Sequence, residues 1–475
     1  MTILKKIYSL EDAEKLSISE VKNLYNEYVN PKQTKIFSNF PFGKDIFVKA
    51  KDMYIYTNNN KKILDFTGGL GVLNHGHNNS RIKNVRIDYA KNDKMEVHKI
   101  VFSPYLAALS HNLSSILGSE LKRTFLCNSG AEAVEGAIKL SFRASKNKKF
   151  ILSTDKSYHG KLIATGSISG ALKNVNQFPK ISDYDFFEFN NLNSLEEKLK
   201  ELDQKGGVYA VIIEPFSATL LEACSENFIK GLVDLRKKYG FAIICDEVYC
   251  AWYKCGEIFY FKKFKNFQPD LITLSKSLGG GKASISALVS NKKIYDKVYG
   301  SFETATLHTT TYNGFGEECA TAIEAINILL EEDYASKVKN LEEKINQHLK
   351  ILKDNHPKKI KGFKGVGSLF GIDFFSMIDN FEPLLKNVPL NVIKNKANLI
   401  SKLNVASISS ELYSKHNILT HISDSENSNF LYISPSLIAS NENIEYFFKS
   451  LDEVLKSKLD LKLLKYIINS IFNIV

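Results

Sequence analysis

The sequence predicts an α/β protein with a large, mainly parallel sheet domain and a smaller α+β domain beside it. Three observations carry that prediction. Between about residues 80 and 335, short apolar runs alternate with helical patterns. Strand–helix–strand units read this way when a sheet is covered on both faces. After about residue 335 the pattern changes to one long amphipathic helix followed by isolated strand-like runs. Finally, the 475 residues suffice for two or three domains and a large core.

The elements follow in order. Residues 1–79 form an N-terminal segment that contributes to the smaller domain and is polar and helical in pattern to about residue 40. "MYIYTNNNKKILDF" alternates, turns at Asn58 to Asn60 and alternates again, which predicts a hairpin. "GGLGVLNHGH", from Gly68 to His77, reads as a glycine-punctuated loop. Residues 80–335 form the large domain, with strands in "RTFLC", "KFILST", "YAVIIEP", "FAIICDE", "DLITLS" and "ISALVS". Residues 336–475 form the C-terminal part of the small domain. There "VKNLEEKINQHLKILKDN" predicts a long helix, and "GVGSLFGIDFF" and "NFLYISPSL" predict strands.

Composition excludes several classes. Apolar residues make up 44% and charged residues 24%, as in soluble globular proteins. The net charge of +11 is spread through short clusters interleaved with acids, so it marks solvated faces rather than a nucleic-acid groove. The six cysteines, at 127, 224, 245, 250, 255 and 319, contain no C-x-x-C pair. Free buried thiols in a reducing, cytoplasmic setting are expected, and no metal site. The N-terminus has no secretory apolar core. The tail "LKLLKYIINSIFNIV" is interrupted by Lys462 and Lys465, which fits an amphipathic docking helix and not a membrane span.

The chemistry gathers around "PDLITLSKSLGGGK", Pro269 to Lys282. A Walker phosphate loop would need glycine at position 276 and Ser or Thr after Lys282, but the residues are Lys276 and Ala283. The alternatives are a plain flexible turn, or glycines that free Lys276 for covalent work. Ligands of open α/β sheets bind at the carboxyl ends of strands. Asp246 ends the strand "FAIICDE", and Lys276 ends the next one. An acid and a lysine so placed suit pyridoxal 5'-phosphate. The amine joins the cofactor's aldehyde as a Schiff base, and the acid keeps the pyridine nitrogen protonated. On this reading the glycines let the backbone approach the cofactor and give the lysine room.

Two further turns belong to the same reading. "CNSGAEAVEG" is a strand, a tight turn and a helix. Ser129 and Glu132 have capping-box spacing, and the N–H groups of Gly130 and Ala131 would face an anion at the helix start. "SYHGKL" places Tyr158 where it can stack on a flat ring, and gives His159 a structural hydrogen bond.

With these motifs in order, the chain resembles the class III aminotransferases, fold-type I pyridoxal-phosphate enzymes that include ornithine and GABA aminotransferases. The resemblance rests on "GGLGVLNHGH", "NSGAEAVEGAIKL", "YHGK", "IIEPF", "CDEVY", "PDLITLSKSLGGG" and "HTTTYNGFGEE". It implies a homodimer with shared active sites. It also implies that Ser129, Gly130 and Ala131 hold the phosphate and that Tyr158 stacks on the ring. Val248 would pack beneath the ring, and Asp246 would pair with the ring nitrogen. Lys276 would be the Schiff-base lysine, Glu214 the active-site glutamate, and Thr311 the threonine that reaches the partner subunit's phosphate.

Two departures from the family pattern stand out. "DEVYCAWYKCG" puts Tyr249 in place of a glutamine near the cofactor's phenolic oxygen. Thr219 and Tyr432 stand where a paired glutamate and arginine handle substrate carboxylates. Losing both avoids a stranded buried charge. It also disfavours 2-oxoglutarate as acceptor unless another cation, such as Lys254, substitutes. The expected activity is transfer of an amino group from an amine or amino acid donor to a keto acid or aldehyde. The rivals on the same scaffold are racemisation, epimerisation or decarboxylation, and a retired, non-catalytic binding protein.

Overall fold

The computed structural model describes residues 7–118, 120–145, 147–174, 177–375, 397–422 and 429–457. The tail read as a docking helix lies outside the described residues. The polar N-terminal stretch forms short capped helices, including Ile18–Leu24 and Pro31–Ser38. The strands then run β1 (Phe47–Lys51), β2 (Tyr54–Thr57) and β3 (Lys62–Asp65). The predicted hairpin is the antiparallel β2–β3 pair.

Next come β4 (Leu121–Cys127), β5 (Phe150–Thr154), β6 (Tyr184–Phe187) and β7 (Val208–Ile213). The short pair β8 (Phe216–Ser217) and β9 (Glu222–Ala223) precedes β10 (Ala242–Asp246), β11 (Leu271–Leu274) and β12 (Ser286–Asn291). The C-terminal part adds β13 (Ile360–Val366), β14 (Leu369–Phe374), β15 (Ile418–Leu419), β16 (His421–Ile422) and β17 (Phe430–Ile433).

A seven-stranded sheet, in the order β4-β12-β11-β10-β7-β5-β6, forms the centre. Its strands run parallel except β12, which lies antiparallel to both β4 and β11. All six residues of β7 are buried, as expected of a strand covered on both faces. All six apolar runs read from the sequence are strands of this sheet. The edge strand β6 escaped that reading because its half-buried "YDFF" lacks a continuous apolar run.

Helix Gly130–Ala144 packs one sheet face through small residues, among them Ala133, Gly136 and Ala137. A Cβ on Gly136 would meet Leu288 Cδ2 of β12 at 3.2 Å, so the helix sits as close as its backbone permits. Beside the large sheet lie two four-stranded sheets. In one, β15 pairs in parallel with β3, so C-terminal chain completes an N-terminal sheet. The other has the order β13-β14-β17-β16. The predicted long helix is Tyr334–Asn355, which buries Val338, Leu341, Ile345, Leu349 and Leu352 along one face.

This topology positions the site. β7, β10 and β11 are neighbours pointing the same way, with Asp246 level with Thr273 in the ladder. Whatever follows their last residues meets at one edge.

Candidate active site

Three side chains arrive at that edge: Glu214 directly after β7, Asp246 as the last residue of β10, and Lys276 two residues beyond β11. They line a cavity of about 700 Å³ with Ser129, Gly130, Ala131, Tyr158, Val248 and Tyr249. Every sequence-predicted site residue except Thr311 lines it. Thr311 lies on an exposed turn outside this cavity.

Asp246 is 4% exposed, and donors grip both its oxygens. Oδ1 accepts from the Val248 N–H and the Thr273 hydroxyl, each at 3.0 Å. Oδ2 lies 2.6 Å from His159 Nδ1. A carboxylate can only accept, so Nδ1 carries the hydrogen. His159 Nε2 lies 3.2 Å from Ser153 Oγ, which continues to Ser157 Oγ at 2.8 Å. The structural hydrogen bond expected of His159 therefore exists, and its partner is Asp246. No local pattern reveals this pair, because 87 residues separate the two. Thr273 shows the same thing at shorter range.

Lys276 has φ +51°, left-handed for a residue with a Cβ. Such strain persists only where the surroundings impose it. Burial pushes its amine down to about 8, while Asp246 and Glu214 pull it back up. Its Nζ stands 3.6 Å from the centroid of the Tyr249 ring.

The glycines after Lys276 do not serve it as expected. Gly280 and Gly281 take left-handed backbone, and neither lines the cavity. A Cβ on Gly280 would strike Ile82 Cδ1 at 2.5 Å, and one on Gly281 would strike Leu73 Cδ2 at 2.6 Å. These glycines let the turn pack against neighbouring helix and loop. Room for the lysine comes from Gly71, in the distant glycine-punctuated loop. A Cβ there would press on Lys276 Cδ at 3.4 Å and Tyr249 Cζ at 3.3 Å.

Glu214 is buried, and its carboxyl is pushed up to about 7. Burial is the main cause. The nearby His159 charge opposes it, Asp246 adds to it, and the Tyr158 and Ala218 N–H groups oppose it. The Tyr158 N–H donates to Oε2 at 3.1 Å, so Glu214 fixes the backbone of the residue expected to stack. The Tyr158 side chain is 45% exposed at the cavity mouth.

The start of helix Gly130–Ala144 also lines the cavity. The capping-box reading of the turn holds. Ser129 and Glu132 form a full capping box, with the Glu132 carboxylate on the Asn128 and Ser129 N–H groups at 2.9 and 2.8 Å. The N–H groups of Gly130 and Ala131 have no acceptor among the described residues. They open toward the cavity at the positive end of the helix. Val248 backs this turn: a Cβ on Gly130 would lie 2.9 Å from its Cγ1. Ser286 of β12 also holds the turn, by donating to the Ser129 carbonyl at 2.7 Å. The sequence carried no signal for Ser286.

The opposite wall carries Thr219 and Tyr432. The Tyr432 hydroxyl donates to the Ala218 carbonyl at 3.0 Å. The ring of His421, its cross-strand partner, stacks on it at 4.7 Å and 10°. Burial, with the charges of Lys254 and Lys276, pushes His421 down to about 4 against the pull of Asp65. Lys254 does not line the cavity. Its buried amine donates to the Ser434 and Pro435 carbonyls at 3.1 and 2.9 Å.

Known proteins share the family pattern and the fold. The family model described as aminotransferase class-III matches residues 42–455. An adenosylmethionine-8-amino-7-oxononanoate aminotransferase from Methanocaldococcus jannaschii superposes with TM-score 0.77 at 20% identity, covering 93% of this chain and 99% of that one. An ornithine aminotransferase from Toxoplasma gondii superposes with TM-score 0.76 at 20% identity, covering 95% and 98%. One from Plasmodium yoelii reaches 22% identity and TM-score 0.69, covering 93% and 99%.

The lowered Lys276 value gives a test in cofactor-free protein. Only the neutral amine is nucleophilic, so its acetylation should rise with pH and level off above about 8. Exposed lysines should continue to rise toward about 10.4. Competitive acetylation read by peptide mapping measures both, and a Lys276 peptide that follows the surface lysines would contradict the geometry.

Proposed function

The chain belongs to the class III aminotransferases, which transfer amino groups with pyridoxal phosphate, and we propose that Lys276 is its covalent lysine and Asp246 its ring-nitrogen partner. One observation carries this reading: Asp246 and Lys276 reach one cavity from adjacent strand ends, and the cavity also receives two unpaired N–H groups at a helix start. The fit is chemical at each end. Gly130 and Ala131 would hold the phosphate, with Ser129 shaping the turn. Val248 and Tyr158 offer an apolar floor and an aromatic face for a flat ring.

When bound, the cofactor supplies an electron-withdrawing ring that acidifies the substrate's α-proton. The protein does the rest. His159, Thr273 and the Val248 N–H fix Asp246 at the cavity wall and leave one of its oxygen lone pairs unused. A base must be neutral to accept a proton and basic enough to keep it. An amine lowered to about 8 meets both conditions near physiological pH, and Nζ is the atom that takes and returns the proton. Amino transfer replaces the racemase, decarboxylase and non-catalytic alternatives.

Borohydride reduction of holoenzyme, followed by peptide mapping, should place the cofactor on Lys276. An adduct on Lys282, or on no lysine, defeats the assignment. In the same protein, Asp246→Asn should keep the fold yet slow the half-reaction by orders of magnitude.

We read the active form as a homodimer. Ile100, Phe102 and Phe302 are 93–103% exposed, more apolar surface than a monomer usually leaves bare in neighbouring loops. Those loops are tied together: Lys99 Nζ donates to the Thr310 carbonyl at 2.8 Å, next to Thr311. Thr311 is thus presented outward, toward a second copy. Sedimentation at working concentration should give a dimer or a multiple of it, and an active monomer would oppose this reading.

The substrate wall supports an acceptor with a single carboxylate, or none. The O–H of Tyr432 is engaged by Ala218, His421 is neutral at pH 7, and Lys254 is held by backbone carbonyls. Among the described lining residues, only the exposed Lys161 is a further lysine or arginine besides Lys276. A charged hydrogen bond contributes about 1.5–3 kcal/mol, against about 1 for a neutral one. The second carboxylate of 2-oxoglutarate should therefore gain too little to favour it, and pyruvate or a simple aldehyde should match or exceed it by roughly tenfold in kcat/KM. Acceptor profiling that finds a clear preference for 2-oxoglutarate would refute this.

A further inference from the structure

We propose that the ring of Tyr249 is a seat for the Lys276 ammonium, holding the lysine whenever its amine is protonated and free of the cofactor. The inference rests on the assignment of Lys276 as the covalent lysine. It makes Tyr249 a positioning residue that acts through its π-face, distinct from the hydroxyl role near the cofactor's phenolic oxygen.

Three features of the geometry support it. The amine lies 3.6 Å from the ring centroid, well inside cation–π range. Lys276 takes left-handed backbone at the start of the Lys276–Gly279 turn, so its stem leaves a constrained turn. Gly71 leaves just enough space for ring and lysine stem to lie together, because a Cβ would approach both within 3.4 Å. Burial raises the Tyr249 hydroxyl's pKa, so the phenol stays neutral and the attraction comes from the ring rather than a phenolate.

The physical advantage is selectivity between protonation states. A ring face attracts an ammonium more strongly than a neutral amine, which offers only a weak N–H···π contact. A buried carboxylate at the same distance would also hold the cation, but would bind it as an ion pair that is hard to open. The seat therefore retains the lysine while it carries a proton and releases it once the proton has left. Other groups also act on the amine. Asp246 and Glu214 favour its charge, as Cys250 and Cys255 do weakly, while Lys254 and His421 adjoin the same space. The ring adds to the carboxylates and opposes burial.

The test uses the full chain stripped of cofactor, with reloaded enzyme as the folding control. Competitive acetylation across pH 6–11 reads the Lys276 titration directly and needs no turnover. Tyr249→Phe keeps the ring and should leave the Lys276 midpoint unchanged. Tyr249→Leu removes it and should lower the midpoint by about one unit, roughly a tenfold larger neutral fraction below it. Tyr249→Met serves if the leucine variant does not fold. A midpoint that stays or rises in Leu or Met, or that shifts equally in Phe, overturns the seat. Borohydride mapping of the reloaded proteins separates that outcome from failure of the Lys276 assignment itself.

Discussion

The site depends on keeping one amine in a desolvated cavity without letting it become either a stranded cation or an inert base. Burial alone would push Lys276 far down. Two carboxylates at adjacent strand ends bring it back to about 8. Moving either of these outward alters the balance, because charge interactions inside protein strengthen as solvent is excluded. The parallel sheet makes the balance possible. Its neighbouring strands deliver Glu214, Asp246 and Lys276 to one edge without any loop having to search for the others.

Those carboxylates are themselves held, and that is what distinguishes the cavity from a cluster of acids. Asp246 accepts from three donors on three different segments. Glu214 accepts from the backbone of Tyr158. Each bond freezes an orientation before anything binds, which is how a site avoids reorganising during reaction. The helix start at Gly130 follows the same rule. The Glu132 carboxylate occupies the outer N–H groups of the turn, leaving the inner two free. The capping box and the two free donors are therefore one device, in which the side chain selects which donors remain available.

The motifs that run along the chain were legible in the sequence. The six core strands, the capped turn at Ser129, and the strand-end positions of Asp246 and Lys276 depend on local pattern, and local pattern survives in sequence. The partners across the fold were not legible. His159 reaches Asp246, Ser286 reaches Ser129, and Gly71 makes room for Lys276, each from a distant segment. The glycines after Lys276 illustrate the hazard. Their position beside a reactive lysine invited a catalytic explanation, while their contacts with Ile82 and Leu73 show that packing requires them. Sequence adjacency to a functional residue is weak evidence of shared function when the backbone turns away at the next residue.

The substrate wall shows the converse, a departure whose consequence only the structure completes. From sequence, Tyr432 was a neutral donor standing where the family pattern has a cation. In the fold its hydrogen points to Ala218, so the cavity receives a ring face and oxygen lone pairs. Lone pairs repel a carboxylate. The stacked His421 offers a neutral imidazole, since burial first, and then the nearby Lys254 and Lys276, oppose a positive charge on it. Lys254 itself, lowered to about 7 by burial, is held on two backbone carbonyls. On the proposed reading the wall discriminates by shape and by neutral hydrogen bonds rather than by charge. Such walls separate substrates by the groups they strand unpaired, and a second carboxylate is the group this one leaves most poorly matched.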